Sequence, residues 1–409
     1  MRIGQFSDSF YPIVDGVGRV VWSYADTLAK KGHDCYVVAP MTDTGYRGDW
    51  PFELVDFLSV GVPTQRQYST GMPLLDPHYD AHMANLSFDI IHAHSPFVAG
   101  AEALRLGRAR NVPVVGMVHS RYYDDFYKLT RAEMLANMGV RFIVNFYERC
   151  DEVWTVSQSS AETLRDYGYG GDIFVIPNGT PDIAPCEEYR LLARKTFALP
   201  SSGVLMYCGQ LNWKKNIQRI LEACAVLKRE GRAFTLVLAG QGPDKDAISE
   251  RIDALGLAEN AVFTGHVTDE RLLYGLYEAA DLFVFPSLYD TSGMVVREAA
   301  AMETPSVVVR GSGAAEAVVD GENGFLCNDL TSSVAEALRT ALSDPERTAQ
   351  MGKNARKTIF FPWDQIVDEA IARYERVIAL YQSEPRPRRP VRDFIENITN
   401  DIKESKKDG

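Results

Sequence analysis

Phe283-Val284-Phe285-Pro286-Ser287-Leu288-Tyr289-Asp290-Thr291-Ser292-Gly293-Met294-Val295-Val296-Arg297-Glu298-Ala299-Ala300-Ala301 is the stretch that decides how this chain folds. An apolar run of strand length stops at a proline, a polar loop follows, and an alanine-rich stretch of helical character starts near Ser292. A strand that feeds directly into a helix is the repeating unit of parallel α/β sheets. Gly293 lets a backbone or ligand approach closely. The N–H groups of Gly293, Met294 and Val295 have no helical acceptor, so with the helix dipole behind them they form a cradle for a diphosphate that needs no metal. Asp290 lies in the loop and Glu298 lies eight positions on, about a turn and a half into the helix.

Outward from this unit the same alternation repeats. Runs of strand character at 203–209, 233–240, 261–265, 305–309 and 324–327 are separated by helical stretches, and the first half carries its own set at 2–6, 35–39, 90–94, 112–119, 152–157 and 173–176. Two doubly wound parallel sheets are expected, with function in the loops beyond the strands' carboxyl ends. The alternation breaks at Pro177-Asn178-Gly179-Thr180-Pro181-Asp182-Ile183-Ala184-Pro185, which neither helix nor central strand tolerates, and the hinge is placed there. The expected domains are therefore 1–181 and 182–363. An amphipathic helix over 364–383 completes the first, and a tail follows over 384–409. Arginines alternate with prolines at the start of that tail, which reads either as a solvated segment or as a peripheral anchor to an anionic membrane surface.

A length of 409 residues suits two domains, and 46% hydrophobic with 24% charged residues is the balance of a globular protein. A formal charge of −12 argues against nucleic acid as partner. No apolar run reaches the roughly 18 residues of a membrane span, and no export signal is visible. Six scattered cysteines without a CxxC pair read as reduced thiols, so a cytoplasmic location is expected.

Several motifs invite other chemistry. Asp15-Gly16-Val17-Gly18-Arg19-Val20-Val21 has two glycines at a helix start, where backbone amides can meet a diphosphate or sugar. It lacks the third glycine of a dinucleotide fingerprint, and the second strand ends in Ala39-Pro40 with no ribose-binding acid, which argues against a nicotinamide cofactor. His92 and His94 share a strand face, as a metal pair would, but no third ligand is indicated. Asp244-Lys245-Asp246 imitates a metal-binding DxD, yet it opens a helix after Gly240-Gln241-Gly242-Pro243. No metal and no cofactor are expected.

The pair Asp290 and Glu298, set in a strand-loop-helix unit with Gly293, resembles the signature of the retaining glycosyltransferases of family 4. The resemblance runs from Gly16 to the closing helix. It implies the two-domain GT-B architecture, with Rossmann-like domains, a cleft between them and a closing helix that crosses back to the first. It also implies transfer of a hexose from a nucleotide diphosphate sugar. In the family the first acid accepts hydrogen bonds from hydroxyls of the donor sugar and the second bonds the ribose, roles that fall here to Asp290 and Glu298. The first acid is more often Glu, so Asp290 is shorter by one methylene. In Cys208-Gly209-Gln210-Leu211-Asn212-Trp213-Lys214-Lys215-Asn216-Ile217 the family lysine is matched by Lys215, which would neutralise the departing diphosphate. Gln210 stands where arginine is common, so either turnover is slower or another cation compensates, with Lys214 and Arg19 as candidates. Gly16 and Gly18 match the glycine-rich first loop. His119, at the end of a strand, matches a histidine beside the donor sugar, and Val267 falls where main-chain groups read the base. The resemblance favours a UDP-glucose-like donor, with GDP-mannose as the other choice, and a lipid-linked or saccharide acceptor met by the aromatic and charged segment from Tyr122 to Lys128. The alternatives are a sugar-nucleotide epimerase of the same fold and a silent subunit that binds sugar nucleotide without turning it over.

Overall fold

The computed structural model describes residues 1–11, 15–40, 48–62 and 65–383. The tail over 384–409 and its membrane reading lie outside the described residues. Compactness divides the chain into one unit of 1–156, 160–176 and 367–383 and another of 157–159 and 177–366.

The first unit holds β1 (Arg2–Phe6), β2 (Asp34–Pro40), β3 (Glu53–Phe57), β4 (Ser59–Val62), β5 (Gln65–Gly71), β6 (Ile90–Ala93), β7 (Val114–Val118), β8 (Glu152–Thr155) and β9 (Phe174–Val175). Seven of them form one sheet in the order β3-β2-β1-β6-β7-β8-β9, every pair parallel. The order reverses between β1 and β6, so the loops after these two strands flank the place where ligands of open α/β sheets collect. The antiparallel hairpin of β4 and β5 has no counterpart in the sequence expectation. β3 escaped it too, because Glu-Leu-Val-Asp-Phe is a short edge strand whose charges interrupt the apolar run.

The second unit holds β10 (Val204–Cys208), β11 (Thr235–Ala239), β12 (Ala261–Gly265), β13 (Leu282–Phe285), β14 (Ser306–Val309) and β15 (Gly324–Cys327) in the parallel order β12-β11-β10-β13-β14-β15. Its reversal lies between β10 and β13. Each strand lies at an expected run because strands of such a sheet, covered on both faces, must be apolar throughout, and β13 and β14 are buried at every position.

The closing helix Trp363–Ser383 buries Val367, Ala370, Tyr374 and Val377 against the first unit. Arg373 holds it there through two hydrogen bonds to Glu152, at 2.5 and 2.9 Å. Ahead of it, the Thr180 N–H donates to the Phe361 carbonyl at 3.0 Å and the Trp363 N–H donates to the Thr180 carbonyl at 3.0 Å. A side chain at Gly179 would meet the Trp363 Cα at 2.8 Å, which explains the glycine of Pro177-Asn178-Gly179. Among the described residues no helix is long and apolar enough to cross a membrane.

Candidate active site

In the second unit the two loops at the sheet's reversal meet. After β10 the chain turns through a short 3-10 segment, Trp213–Lys215, whose amides are held from outside: Asn212 caps Lys214 N–H at 3.0 Å and Asp244 accepts from Trp213 N–H at 2.9 Å. Asp244 thus braces the lysine turn from the position just ahead of the helix Lys245–Ala254. Among the described residues no cluster of three potential metal ligands exists. Asn216 follows in the left-handed region, φ 60°, and its Nδ2 donates to the Pro286 carbonyl at 3.0 Å and to Asp329 at 2.9 Å. This side chain ties the lysine turn to the end of β13.

Lys215 Nζ reaches across to Asp290 Oδ1 at 2.7 Å, and both groups are largely shielded from solvent. The second oxygen, Asp290 Oδ2, is buried and has no hydrogen-bond partner among the described residues. A buried acceptor without a donor is costly unless a ligand completes it. Tyr289 lies beside the pair, with the Lys214 and Lys215 ammonium groups 4.7 and 5.7 Å from its ring centroid.

Four residues beyond Asp290 the helix Met294–Ala301 begins, with Gly293 as N-cap at φ 56°. A side chain at Gly293 would meet the Ala314 Cα at 2.7 Å, and one at Gly313 would meet the Asp290 carbonyl at 2.6 Å, so the cradle is backed by glycine-alanine backbone rather than side chains. Ser292, just before the cap, accepts from Asn178 Nδ2 at 3.2 Å. The amides of Gly293, Met294 and Val295 open this helix as its sequence implied. Glu298 is buried, and its Oε2 accepts from Tyr277 Oη at 2.9 Å. That bond and burial rule out a surface-charge role. The Gln210 side chain is exposed, while its carbonyl accepts from Tyr207 Oη at 2.8 Å. Val267 follows β12 and packs partly against the core.

The first unit contributes a different kind of site. His119 follows β7 and is buried, with Nε2 3.0 Å from His94 Nδ1, and His94 Nε2 lies 2.5 Å from Gln5 Oε1. Gln5 Nε2 is 3.4 Å from Tyr374 Oη, which bonds His92 Nδ1 at 2.6 Å. His92 and His94 are therefore members of a polar chain inside the sheet and not a metal pair. Burial holds both well below the usual imidazole range and brings His119 to about 4. Gly16 is exposed at the start of the helix Gly16–Lys30. Gly18 corrects the expectation: it is buried, and its N–H donates to Asp15 Oδ1 at 2.7 Å, so this amide serves the helix cap and not a ligand.

A stability prediction arises from these buried imidazoles. Each binds its proton less readily folded than unfolded, so the unfolded chain holds the extra proton between the folded value and about 6.5. Their contribution is complete above pH 6.5 and is lost as pH falls through 6.5 toward 4, with a slope of about 1.4 kcal/mol per pH unit for each ring. Urea midpoints followed at pH 7.5, 6 and 5 should fall in that order, and His119→Gln should flatten the decline. A midpoint that does not move between pH 7.5 and 5 contradicts the burial of neutral rings.

Two family models match the chain, one described as Glycosyltransferase Family 4 over residues 14–182 and one as Glycosyl transferases group 1 over residues 192–358. A GDP-mannose-dependent alpha-(1-6)-phosphatidylinositol dimannoside mannosyltransferase of Mycobacterium tuberculosis is 30% identical over 385 residues, 91% of this chain and 95% of that protein. The chain belongs to the group 1 glycosyltransferases. As a member of that family it is an enzyme that uses a nucleotide sugar, and the silent subunit and the epimerase fall away. An alpha-monoglucosyldiacylglycerol synthase of Streptococcus pneumoniae is 26% identical over 83% of this chain and 78% of its own length. In fold, this glycosyltransferase is similar to Anabaena Alr3699/HepE, solved in complex with UDP and glucose. The TM-score is 0.74 at 20% identity, covering 92% of this chain and 99% of the other.

Sequence reasoning about this glycosyltransferase missed Tyr277, Tyr289, Asn178 and the bracing role of Asn216. Only Asn216 left a signal, as a polar residue directly after the lysine.

Proposed function

We propose that this glycosyltransferase moves a hexose from a nucleoside diphosphate donor, UDP-glucose first among them, to a lipid-linked acceptor with retention of the anomeric configuration. The observation that carries this reading is the Lys215–Asp290 contact of 2.7 Å at the sheet reversal, with Asp290 Oδ2 buried and unpartnered. On binding, the ammonium and the amides of Gly293, Met294 and Val295 take the diphosphate, and Asp290 Oδ2 accepts a hydroxyl of the sugar. Glu298 accepts from the ribose hydroxyls, the Val267 main chain meets the base, and the exposed Gln210 amide donates to phosphate oxygen. Within the first unit, His119 and Gly16 are the residues we propose for ligand contact.

In the reaction the bond from the anomeric carbon to the β-phosphate oxygen breaks, and its electron pair stays on the phosphate. The acceptor oxygen attacks from the same face and its proton passes to that phosphate oxygen. Lys215 and the helix amides bind the phosphate more strongly as its charge grows, which is what lowers the barrier. GDP-mannose is the second donor to test, because the 30% identical relative is named for it.

The acceptor reading draws support from the helices Tyr122–Thr130 and Glu133–Tyr147. Tyr127, Leu129, Met134, Leu135, Met138 and Phe142 are all exposed on them. Lys128, Arg131 and Arg141 are exposed among these apolar side chains. An apolar stripe left in water and mixed with cations suits a surface of anionic lipid. The relatives named above are also named for lipid acceptors.

Incubation with UDP-glucose, UDP-galactose and GDP-mannose, with and without diacylglycerol or glycolipid in anionic vesicles, tests the proposal. Nucleoside diphosphate release that rises with lipid acceptor, and an α-linked product by proton NMR, is the expected outcome. A β-linked product removes retention, and faster transfer to soluble oligosaccharide than to lipid removes the acceptor class. Met138→Glu and Phe142→Glu should lower lipid transfer about tenfold or more by spoiling the apolar stripe, while slow donor hydrolysis is unchanged. Equal lipid transfer by both variants would dismiss the stripe.

A further inference from the structure

We infer that Asp329 is a positioning residue for Lys215: through Asn216 it holds the turn from which the ammonium reaches the diphosphate. Ahead of Lys215 the turn is fixed by Asn212 and Asp244. Behind it the fixing group is the Asn216 carboxamide, whose Nδ2 donates to the Pro286 carbonyl at 3.0 Å and to Asp329 Oδ1 at 2.9 Å. A peptide carbonyl and a carboxylate can only accept, so turning the amide over would set its oxygen against two acceptors, and its orientation is fixed. Asp329 is ionised in this place, because the Asn216 amide and then the Arg219 guanidinium hold its carboxyl below the usual carboxylate range.

Asn216 shows what the arrangement displaces. It is the N-cap of the helix Ile217–Arg229, and an asparagine there ordinarily turns its side-chain oxygen onto an amide of the first turn. Asn216 makes no such bond, and its backbone sits at φ 60°, where a residue other than glycine is strained. A cap forgone and a left-handed backbone both oppose folding locally, which points to a role in placing Lys215.

Asp329 reaches this turn from the loop after the edge strand β15, whereas Lys215 follows β10. The oxygen that holds Asn216 also accepts from Arg219 Nε at 3.1 Å, and Arg219 Nη1 donates to Glu222 at 3.2 Å and to Thr331 Oγ1 at 3.3 Å. Asp329 is thereby anchored to the helix that Asn216 opens and to the start of the helix Thr331–Ser343. The other bond of Asn216 ends on Pro286, four residues before Asp290, so one carboxamide sets the lysine against the loop that carries its partner. The Asp329 and Arg219 side chains are 40% and 32% exposed, and a surface ion pair of that kind adds little to stability. Its removal therefore leaves the protein folded.

The inference rests on the proposed function for what Lys215 does. Asp329→Ala should lower kcat about tenfold, with donor KM within about threefold and a melting temperature near that of the wild type, because the turn is no longer held in register. Asp329→Asn keeps an oxygen that accepts from Asn216 and Arg219, and should recover most of the loss. Asn216→Gly, which tolerates the left-handed turn but removes the carboxamide, should lose at least as much as Asp329→Ala. In a Lys215→Ala background, Asp329→Ala should change kcat by less than about twofold, since no ammonium is left to place. A tenfold loss that persists without the lysine, or an Asp329→Ala enzyme with wild-type kcat, overturns the inference. A crystal structure of ligand-free Asp329→Ala gives a reading independent of turnover. The Lys215 ammonium should leave Asp290 there, and a contact kept at 2.7 Å overturns the inference as well. If Lys215→Ala turns over as fast as wild type, the proposed function fails, and that crystal structure still decides the role of Asp329.

Discussion

Lys215→Ala should lower kcat by about two to three orders of magnitude while donor KM moves by less than about fivefold, the mark of a contact made mainly in the transition state. In the resting enzyme the ammonium is occupied by Asp290 at 2.7 Å. The diphosphate gains negative charge as the glycosidic bond breaks, so the ammonium's attraction to it grows along the reaction coordinate and outweighs the carboxylate it leaves. Lys215→Arg should recover only part of the loss, because a planar guanidinium does not fit the one-oxygen contact that a compact ammonium makes. Initial rates read by nucleoside diphosphate release check both. A Lys215→Ala enzyme within about threefold of wild type in kcat would show that the charge is supplied elsewhere.

Glu298→Ala should act on binding and on stability together. Loss of a charged acceptor for the ribose hydroxyls raises the dissociation constant of the nucleoside diphosphate by about 10- to 100-fold, the range of one or two charge-assisted hydrogen bonds. The same change takes from Tyr277 Oη its carboxylate acceptor inside the core, which costs about 1–3 kcal/mol of folding stability. Glu298→Gln separates the two effects, since the amide oxygen still accepts from Tyr277 while the negative charge is gone. It should melt near the wild-type temperature and still bind nucleotide weakly. Calorimetric titration with UDP and GDP, alongside thermal melts, reads both quantities. Unchanged affinity in the alanine variant would remove Glu298 from the nucleotide site.

What could be read from the sequence follows from how each feature is encoded. The second sheet was legible strand by strand, because parallel strands between helices must be apolar on both faces. β3 and the hairpin of β4 and β5 were not, because edge strands keep charges and short antiparallel pairs need no long apolar run. At the candidate site, Lys215, Asp290 and the Gly293 cap were visible as residue types in a strand-loop-helix frame. Their mutual contact depends on β10 and β13 being neighbours, which follows from sheet order and not from any local pattern. Gly18 was misjudged because a glycine at a helix start looks the same whether its amide is open or capped, and only the approach of Asp15 decides it. The Gln5–His94–His119 chain was out of reach for the same reason as the lysine contact: its members come from β1 and from the ends of β6 and β7, and are joined only by sheet order and register.

A crystal structure with the donor's nucleoside diphosphate tests the central claim most directly. The account predicts β-phosphate oxygens within hydrogen-bond distance of Lys215 Nζ and of the Met294 and Val295 amides, with the ribose hydroxyls on Glu298. A diphosphate bound away from the start of the helix Met294–Ala301, with Lys215 still paired to Asp290, would contradict it.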